Sequence, residues 1–132
     1  MKKILLSLLA IFISVTVNAH DMIPTYPELK KSYLDGLLVT EMEIFNKRND
    51  VEYYEIAVFD ENMNPVPFVT SYKVFKLEYL KRIKLEIFIR EKDELKAMYV
   101  CSRSRSLEKK ISNTNISSMI CSKFKKRLQW KK

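Results

Sequence analysis

The residues that could carry metal or hydrolytic chemistry are few, because this chain of 132 residues contains a single histidine, His20. A hydrolase triad or a zinc site places histidine within a cluster of other functional groups. A histidine at a mature N-terminus can also chelate copper, but such sites recruit further histidines or methionines. We therefore expect no enzymatic activity, no metal and no cofactor, and a disordered N-terminus at His20.

Paired carboxylates are the next candidates for chemistry, as general acid and base. Glu41 and Glu43 alternate outward on a predicted strand, and Asp60 and Glu61 lie in a predicted turn. Solvated surface charge is the better interpretation of both pairs. Three tyrosines could stack against a carbohydrate, but aromatic residues in short strands more often pack in a core or across strands. These tyrosines are Tyr53, Tyr54 and Tyr79.

The two cysteines, Cys101 and Cys121, allow only one intramolecular disulfide. In an oxidising compartment we expect that disulfide to form, and the alternative is a pair of buried thiols. Closing a loop of about twenty residues would stabilise the fold by roughly 3 kcal/mol in the chain-entropy model.

Residues 116–130 alternate with the period of a half-buried strand. The apolar side is Ile116, Ile120, Phe124, Leu128 and Trp130, and the opposite side is Lys123, Lys125, Arg127 and Gln129. We expect this strand to pair with residues 95–102 in a closing hairpin that the disulfide staples. A basic face of this kind attracts phosphate, anionic lipid or an acidic partner, although a solvated strand face is its commonest explanation.

The N-terminus predicts export. Lys2 and Lys3 precede an apolar run over residues 4–15 and a small-residue cleavage site at Val17-Asn18-Ala19, which together are typical of a signal peptide over residues 1–19. We expect a periplasmic protein with no membrane-spanning segment. Cleavage would leave 22 basic and 16 acidic residues, a net charge of +6, in a single domain over residues 20–132. Export disfavours nucleic acid as the partner.

Short alternating segments with turn signals between them predict an all-β fold. The clearest alternation places Ile83, Leu85, Ile87 and Ile89 opposite charged residues. Further strands are expected over residues 37–46, 53–59, 68–70 and 74–77, and a helical turn over residues 91–95. About seven strands without a long amphipathic helix indicate an immunoglobulin-like antiparallel β-sandwich. The lone glycine, in Asp35-Gly36, marks a tight turn.

With the strands in place, residues 27–130 resemble the N-terminal immunoglobulin-like domain of periplasmic pilus chaperones, the PapD-like family. The resemblance rests on Tyr33 with Asp35-Gly36, Asn46 at a strand end, Val58-Phe59-Asp60-Glu61-Asn62, Pro67-Phe68-Val69-Thr70 and Phe75-Lys76-Leu77, in the family's order. Leu95-Lys96 with Cys101, followed by Cys121-Ser122-Lys123, resembles the long-loop subfamily, in which a disulfide joins the last two strands.

This resemblance implies a binding site. The family grips a subunit's C-terminal carboxylate with an Arg and a Lys, whose positions fall on Lys30 and Lys123 here. Alternate residues of the final strand complete the subunit's open sandwich, which assigns strand-donor contacts to Ile116 and Ile120. The chain departs from the family in carrying Lys30 for Arg, which supplies charge without a bidentate fork. It also has Ser71-Tyr72 where Pro-Pro is common, and we expect it to consist of one domain, without the family's second.

The leading hypothesis is therefore an exported chaperone-like binding protein that captures an extended segment or C-terminus of a secreted or pilin-like surface subunit by strand addition. An alternative is an accessory or self-assembling structural protein of a pilus, phage or mobile element, which self-associates through an exposed edge strand. A third hypothesis is a binder of anionic surfaces through the basic terminal face.

Overall fold

The computed structural model describes residues 19–105 and 117–126. Within these residues nine strands form two antiparallel sheets, packed face to face as a sandwich. The strands are β1 (Asp21–Ile23), β2 (Lys30–Lys31), β3 (Leu37–Phe45), β4 (Tyr53–Phe59), β5 (Val69–Thr70), β6 (Val74–Lys76), β7 (Arg82–Arg90), β8 (Tyr99–Arg105) and β9 (Met119–Lys123). The first sheet has the order β1-β3-β7-β5, with β2 also on β3, and the second has the order β6-β4-β8-β9. The predicted all-β sandwich is confirmed.

The centre of the first sheet is the nine-residue pairing of β3 with β7. Both strands alternate strictly, because successive side chains of a strand point to opposite faces. The inward residues of this pair include Met42, Ile44, Ile87 and Ile89, none of which has exposed surface. The outward residues predicted to be charged are Glu41 and Glu43 on β3 and Lys84, Glu86 and Arg90 on β7, and they do point outward. The outward face also carries Val39, Phe45 and Phe88.

The second sheet contributes Tyr54, Ile56 and Val58 from β4, and Val100 from β8, to the same core. All four are buried. Phe124, which follows β9, is 2% exposed and belongs to this core, with Ile120 packed against it. One hydrophobic core between two sheets therefore accounts for the apolar alternation in every long strand.

The predicted turns are present. Gly36 has φ +78° in the turn before β3, a conformation that L side chains rarely adopt, so glycine is favoured there. The Asp60 carboxylate accepts hydrogen bonds from the backbone N–H groups of Asn62 and Asn64 at 2.8 and 2.9 Å, which closes the loop after β4. The expected helical turn after β7 is a 3-10 helix, Glu91–Asp93.

Two expectations about strand lengths are corrected. Within the strand predicted over residues 116–130, β9 covers Met119–Lys123. Residues 117–118 and 124–126 are not in a strand, and residues 116 and 127–130 lie outside the described part of the chain. Strand β8 begins at Tyr99 rather than Leu95, because residues 94–97 continue the turn, where the Lys96 and Ala97 N–H groups both donate to the Asp93 carbonyl. No helix among the described residues is long and apolar enough to cross a membrane.

Candidate edge-strand binding site

Strand β9 lies at the edge of the second sheet, and its hydrogen bonds to β8 use alternate residues. The Phe124 N–H donates to the Met98 carbonyl, and the Ser104 N–H donates to the Ser118 carbonyl, each at 2.9 Å. Hydrogen-bonded and non-hydrogen-bonded pairs alternate along an antiparallel ladder. The backbone groups of Met119, Cys121 and Lys123 therefore point away from β8, toward the outer edge.

Among the described residues, the outer edge is hydrogen-bonded at one end only. The Lys123 N–H donates to the Thr25 carbonyl at 3.1 Å, and the Lys125 N–H donates to the Pro27 carbonyl at 2.9 Å, so residues 25–27 run parallel to this end of the chain. The outward backbone groups of Met119 and Cys121 make no hydrogen bond to any residue in the described ranges. Strand β1 passes close to β9 but pairs with β3 in the other sheet. Residues 119–121 are the open segment of the β9 edge.

The side chains of β9 alternate between the core and the outer face of the second sheet, as predicted. Ile120 and Phe124 face the core, and Met119, Cys121 and Lys123 are exposed on the outer face of the second sheet. Ile116, the other expected strand-donor contact, lies outside the described residues. Its role and that of Ile120 remain predictions.

The predicted disulfide between Cys101 and Cys121 is present. It joins residues directly opposite each other on β8 and β9, with their Cα atoms 4.0 Å apart, at a non-hydrogen-bonded position of the ladder. Cys101 is buried at 1% exposure, whereas Cys121 is exposed. The disulfide therefore links β9 covalently to β8 at Cys121, which is the last residue of the open segment.

The two predicted carboxylate-binding lysines lie on different sheets. Lys30 is on β2, opposite Val39 of β3, and Lys123 ends β9, opposite Tyr99 of β8. Both are exposed, and neither has an ion pair with another described residue. Their joint grip on a carboxylate stays a prediction.

A groove of about 500 Å³ runs beside residues 24–30, and Lys30 shares its lining with Lys125. Lys123 is not part of that lining. Glu28, Glu41 and Glu86 also line the groove, and Lys125 pairs with Glu28 at 3.0 Å. The sequence did not predict that Lys30 and Lys125 line the same groove, because this arrangement depends on residues 25–27 crossing from one sheet to the other.

Not all of the terminal cations belong to an open basic face. Lys125 is in an ion pair, and the Lys126 ammonium donates to the carbonyls of Glu94, Leu95 and Ala97 at 3.1, 3.2 and 2.7 Å. Burial lowers the pKa of Lys126, and Glu94 opposes that effect. Of the three lysines after Cys121 that the structure describes, only Lys123 lacks such a partner, which weakens the hypothesis of an anionic-surface binder.

A buried polar cluster near β1 was missed by sequence reasoning, and the expected disordered terminus is wrong. The His20 imidazole has no exposed surface, and its Nε2 and Nδ1 lie 2.7 and 3.3 Å from the hydroxyls of Ser102 and Ser118. Both ring nitrogens are thus occupied, which leaves neither free for copper. Ser102 is equally buried. This serine and His20 therefore form an internal hydrogen bond, and the serine hydroxyl is not exposed to a substrate as a nucleophile. The available signal was that His20 shares the alternation of Met22.

Among the described residues no group of three or more His, Cys, Asp or Glu side chains could hold a metal ion. The buried polar cluster around His20 continues into a hydrogen-bond network around Asn46. In that network the Tyr54 hydroxyl donates to Asn46 Oδ1 at 2.6 Å. Arg48 donates to Ser118 Oγ at 3.2 Å and pairs with Asp50, and that hydrogen-bonded pair lowers the pKa of Asp50. This network lies at one end of the sandwich, next to the start of β9.

The structure is similar to the crystal structure of the E. coli chaperone DraB, with a TM-score of 0.61 and 19% sequence identity. The match covers 80% of this chain and 53% of the DraB chain, so this chain spans about half the length of that chaperone. At this level of identity the likeness shows the fold alone, and it confirms the immunoglobulin-like sandwich. No family model matches the chain, and no curated protein matches it.

Proposed function

We propose that this protein is an exported, chaperone-like binding protein that captures an extended segment or C-terminus of a secreted, pilus-type subunit by β-strand addition. The observation that carries the proposal is the open segment of the β9 edge, where the outward N–H and C=O groups of Met119 and Cys121 have no partner within the described ranges. Unpaired edge groups are the template on which a guest strand adds to a sheet.

Three further features support the proposal. The disulfide holds the edge strand to β8, so the template is rigid and a guest does not have to order it. Lys123, two residues beyond the open segment, is exposed and has no ion pair to another described residue, and Lys30 is similarly exposed. The likeness to a bacterial chaperone adds a precedent for this fold. Export to the periplasm agrees with the disulfide, because such bonds persist in oxidising compartments.

The backbone edge can be tested with a matched pair of substitutions at Met119. Met119→Pro removes an outward N–H that β8 does not use, whereas Met119→Ala shortens the side chain and keeps that N–H. We expect proline to abolish co-purification of guest polypeptides from periplasmic extract, identified by mass spectrometry, and alanine to preserve it. Equal capture by both variants, with an intact disulfide and unchanged circular dichroism, would remove β9 from consideration.

The charged contact has its own test. Lys123→Glu should weaken capture of the same polypeptides by at least about tenfold, since a charge-assisted hydrogen bond is worth about 1.5–3 kcal/mol. Lys81→Glu is the matched control, because Lys81 is exposed in the turn before β7 and the substitution changes the net charge equally. If the two reversals weaken capture to the same extent, the effect is one of net charge and not of a site at Lys123.

A second candidate function is self-assembly, and the same open segment favours it because an unpaired edge can add a strand from another copy. Size-exclusion chromatography over a range of concentrations separates the two functions. Guest capture predicts a monomer whose elution changes only with bound polypeptide. A concentration-dependent oligomer of pure protein, abolished by Met119→Pro, would favour self-assembly.

A further inference from the structure

His20 occupies the interior of the sandwich at the point where the N-terminal strand enters the first sheet. Its imidazole has no exposed surface and shares the inward direction of Met22, which is 6% exposed. The ring lies with its centroid 4.8 Å from that of Tyr54, a core residue of β4. A titratable group is thus enclosed in the core of a domain that has no other histidine.

The imidazole joins parts of the chain that belong to different sheets. His20 directly precedes β1, whose ladder is with β3 of the first sheet. Its Nε2 lies 2.7 Å from Ser102 Oγ on β8, and its Nδ1 lies 3.3 Å from Ser118 Oγ, just before β9. One side chain therefore fastens the N-terminal strand to the second sheet next to the open segment of β9.

The charges around the ring favour its neutral form. From the turn after β3, Arg48 donates to the same Ser118 hydroxyl and is itself 8% exposed and paired with Asp50. On β1, Asp21 pairs with Lys47. From β4, Tyr54 presents an uncharged ring, and β8 presents serine hydroxyls. No carboxylate of a described residue hydrogen-bonds to the imidazole, so a proton on His20 would add a second cation beside Arg48 without its own counter-ion.

Burial is the main cause that lowers the pKa of His20 below its ordinary 6.5, and Arg48 acts in the same direction, while Ser102 and Asp21 oppose them. A group whose folded pKa is lowered stabilises the fold fully above its unfolded pKa. That stabilisation is lost as the pH falls from about 6.5 through the folded pKa. The contacts of His20 are therefore strongest at neutral pH.

We propose that His20 is a pH-sensitive latch, which holds β1 and the start of β9 together at neutral pH and releases them in mildly acidic medium. Release frees β1, which lies close to β9, and so widens access to the open segment of the β9 edge. The latch goes beyond the proposed function and does not depend on it, because its opening can be measured without any guest polypeptide.

Nuclear magnetic resonance of the purified protein tests the latch directly, because the only histidine ring of the chain gives unambiguous carbon-bound proton signals. The chemical shifts of these protons report the protonation of the imidazole ring and not that of a terminal α-amine. We expect the ring to titrate below pH 6.5. Over the same pH interval, the hydrogen-exchange protection of β1 and residues 118–121, corrected for intrinsic rates, should fall by up to about tenfold per pH unit. The central strands β3 and β7 should keep their protection.

His20→Gln is the matched variant, since glutamine can hydrogen-bond to the serines but cannot titrate in this range. We expect its protection of β1 to change less than about twofold between pH 7.5 and pH 5. The same pH dependence in this variant as in the natural protein would overturn the proposal. The proposal would also be overturned if, in the natural protein, the ring titrates while β1 and residues 118–121 stay protected. That result does not depend on the folding of any variant.

Discussion

At the scale of single residues, the clearest organising group is Asn46, whose side chain uses its full hydrogen-bonding capacity inside the protein. Its Nδ2 donates to the carbonyls of Val51 and Leu77, each at 2.8 Å, and its Oδ1 accepts from the Arg48 N–H and the Tyr54 hydroxyl. Asn46 has no exposed surface. A polar residue at a strand end therefore acts as the internal support of the turn that follows.

Tyr54 provides a prediction at this scale. Burial raises the pKa of Tyr54 to about 12, with Arg48 opposing. Tyr54→Phe should lower the free energy of unfolding by about 1 kcal/mol near pH 8, because the hydrogen bond to Asn46 is lost. A raised pKa means that the unfolded chain ionises first, so the advantage of tyrosine should shrink as the pH rises from about 10 toward 12.

Urea denaturation of both proteins at several alkaline pH values measures this difference, and the remaining tyrosines and lysines titrate equally in both. A gap between the two proteins that stays constant across the alkaline range would contradict the raised pKa.

At the scale of elements, the N-terminal segment determines which part of the edge is open. It pairs with β3 through β1, crosses to lie beside Lys123 and Lys125, and returns to β3 as β2. This crossing covers one end of the β9 edge and places Lys30 and Lys125 in one groove, while the outward backbone groups of Met119 and Cys121 make no hydrogen bond within the described ranges. The surroundings of β9 thus depend on an element about a hundred residues earlier in the sequence.

Adjacent lysines after β9 give a prediction about the turn between β7 and β8. Lys126 donates to three carbonyls of residues 94–97, whereas Lys125 makes a surface ion pair with Glu28. Lys126→Met should therefore lower the free energy of unfolding by about 1–2 kcal/mol. Lys125→Met should change it by less than about 0.5 kcal/mol. Urea midpoints of the two variants provide the comparison, and equal midpoints would show that the carbonyl contacts contribute nothing measurable.

At the scale of the whole molecule, the sandwich depends on one core that both sheets share. The outer face of the first sheet carries ion pairs between β3 and β7, Arg82 with Glu43 at 2.7 Å and Lys84 with Glu41 at 3.4 Å. Exposed pairs of this kind contribute little to stability. Stability therefore has to come from the inward residues and from the disulfide.

Ile87 and Val69 make that conclusion testable. Ile87, on β7, has no exposed surface, and Val69, on the short edge strand β5, is 61% exposed. Ile87→Ala should cost roughly 3 kcal/mol through lost burial and the cavity left behind. Val69→Ala should change stability by less than about 0.5 kcal/mol. Thermal and urea unfolding would report both, and a small loss at Ile87 would mean that the two sheets do not share a tightly packed core.

The alternating segments were predictable because side-chain direction in a strand is a local property with a period of two. The faces of β3, β4, β7 and β9 follow from it, whereas the turn at Gly36 and the hairpin that Cys101 and Cys121 close were predictable from the residue types themselves. The pairing of those two cysteines needed no geometry, since they are the only two in the chain.

By itself, then, the sequence determined the fold class, the faces of the long strands and the disulfide. Only the tertiary structure decided which backbone groups of β9 stay open, that Lys30 shares a groove with Lys125, and that His20 is enclosed rather than disordered. The physical reason is distance along the chain: His20 meets Ser102 across 82 residues, and residues 25–27 meet β9 across nearly a hundred. Local periodicity carries no information about such contacts, which depend on how the two sheets are stacked.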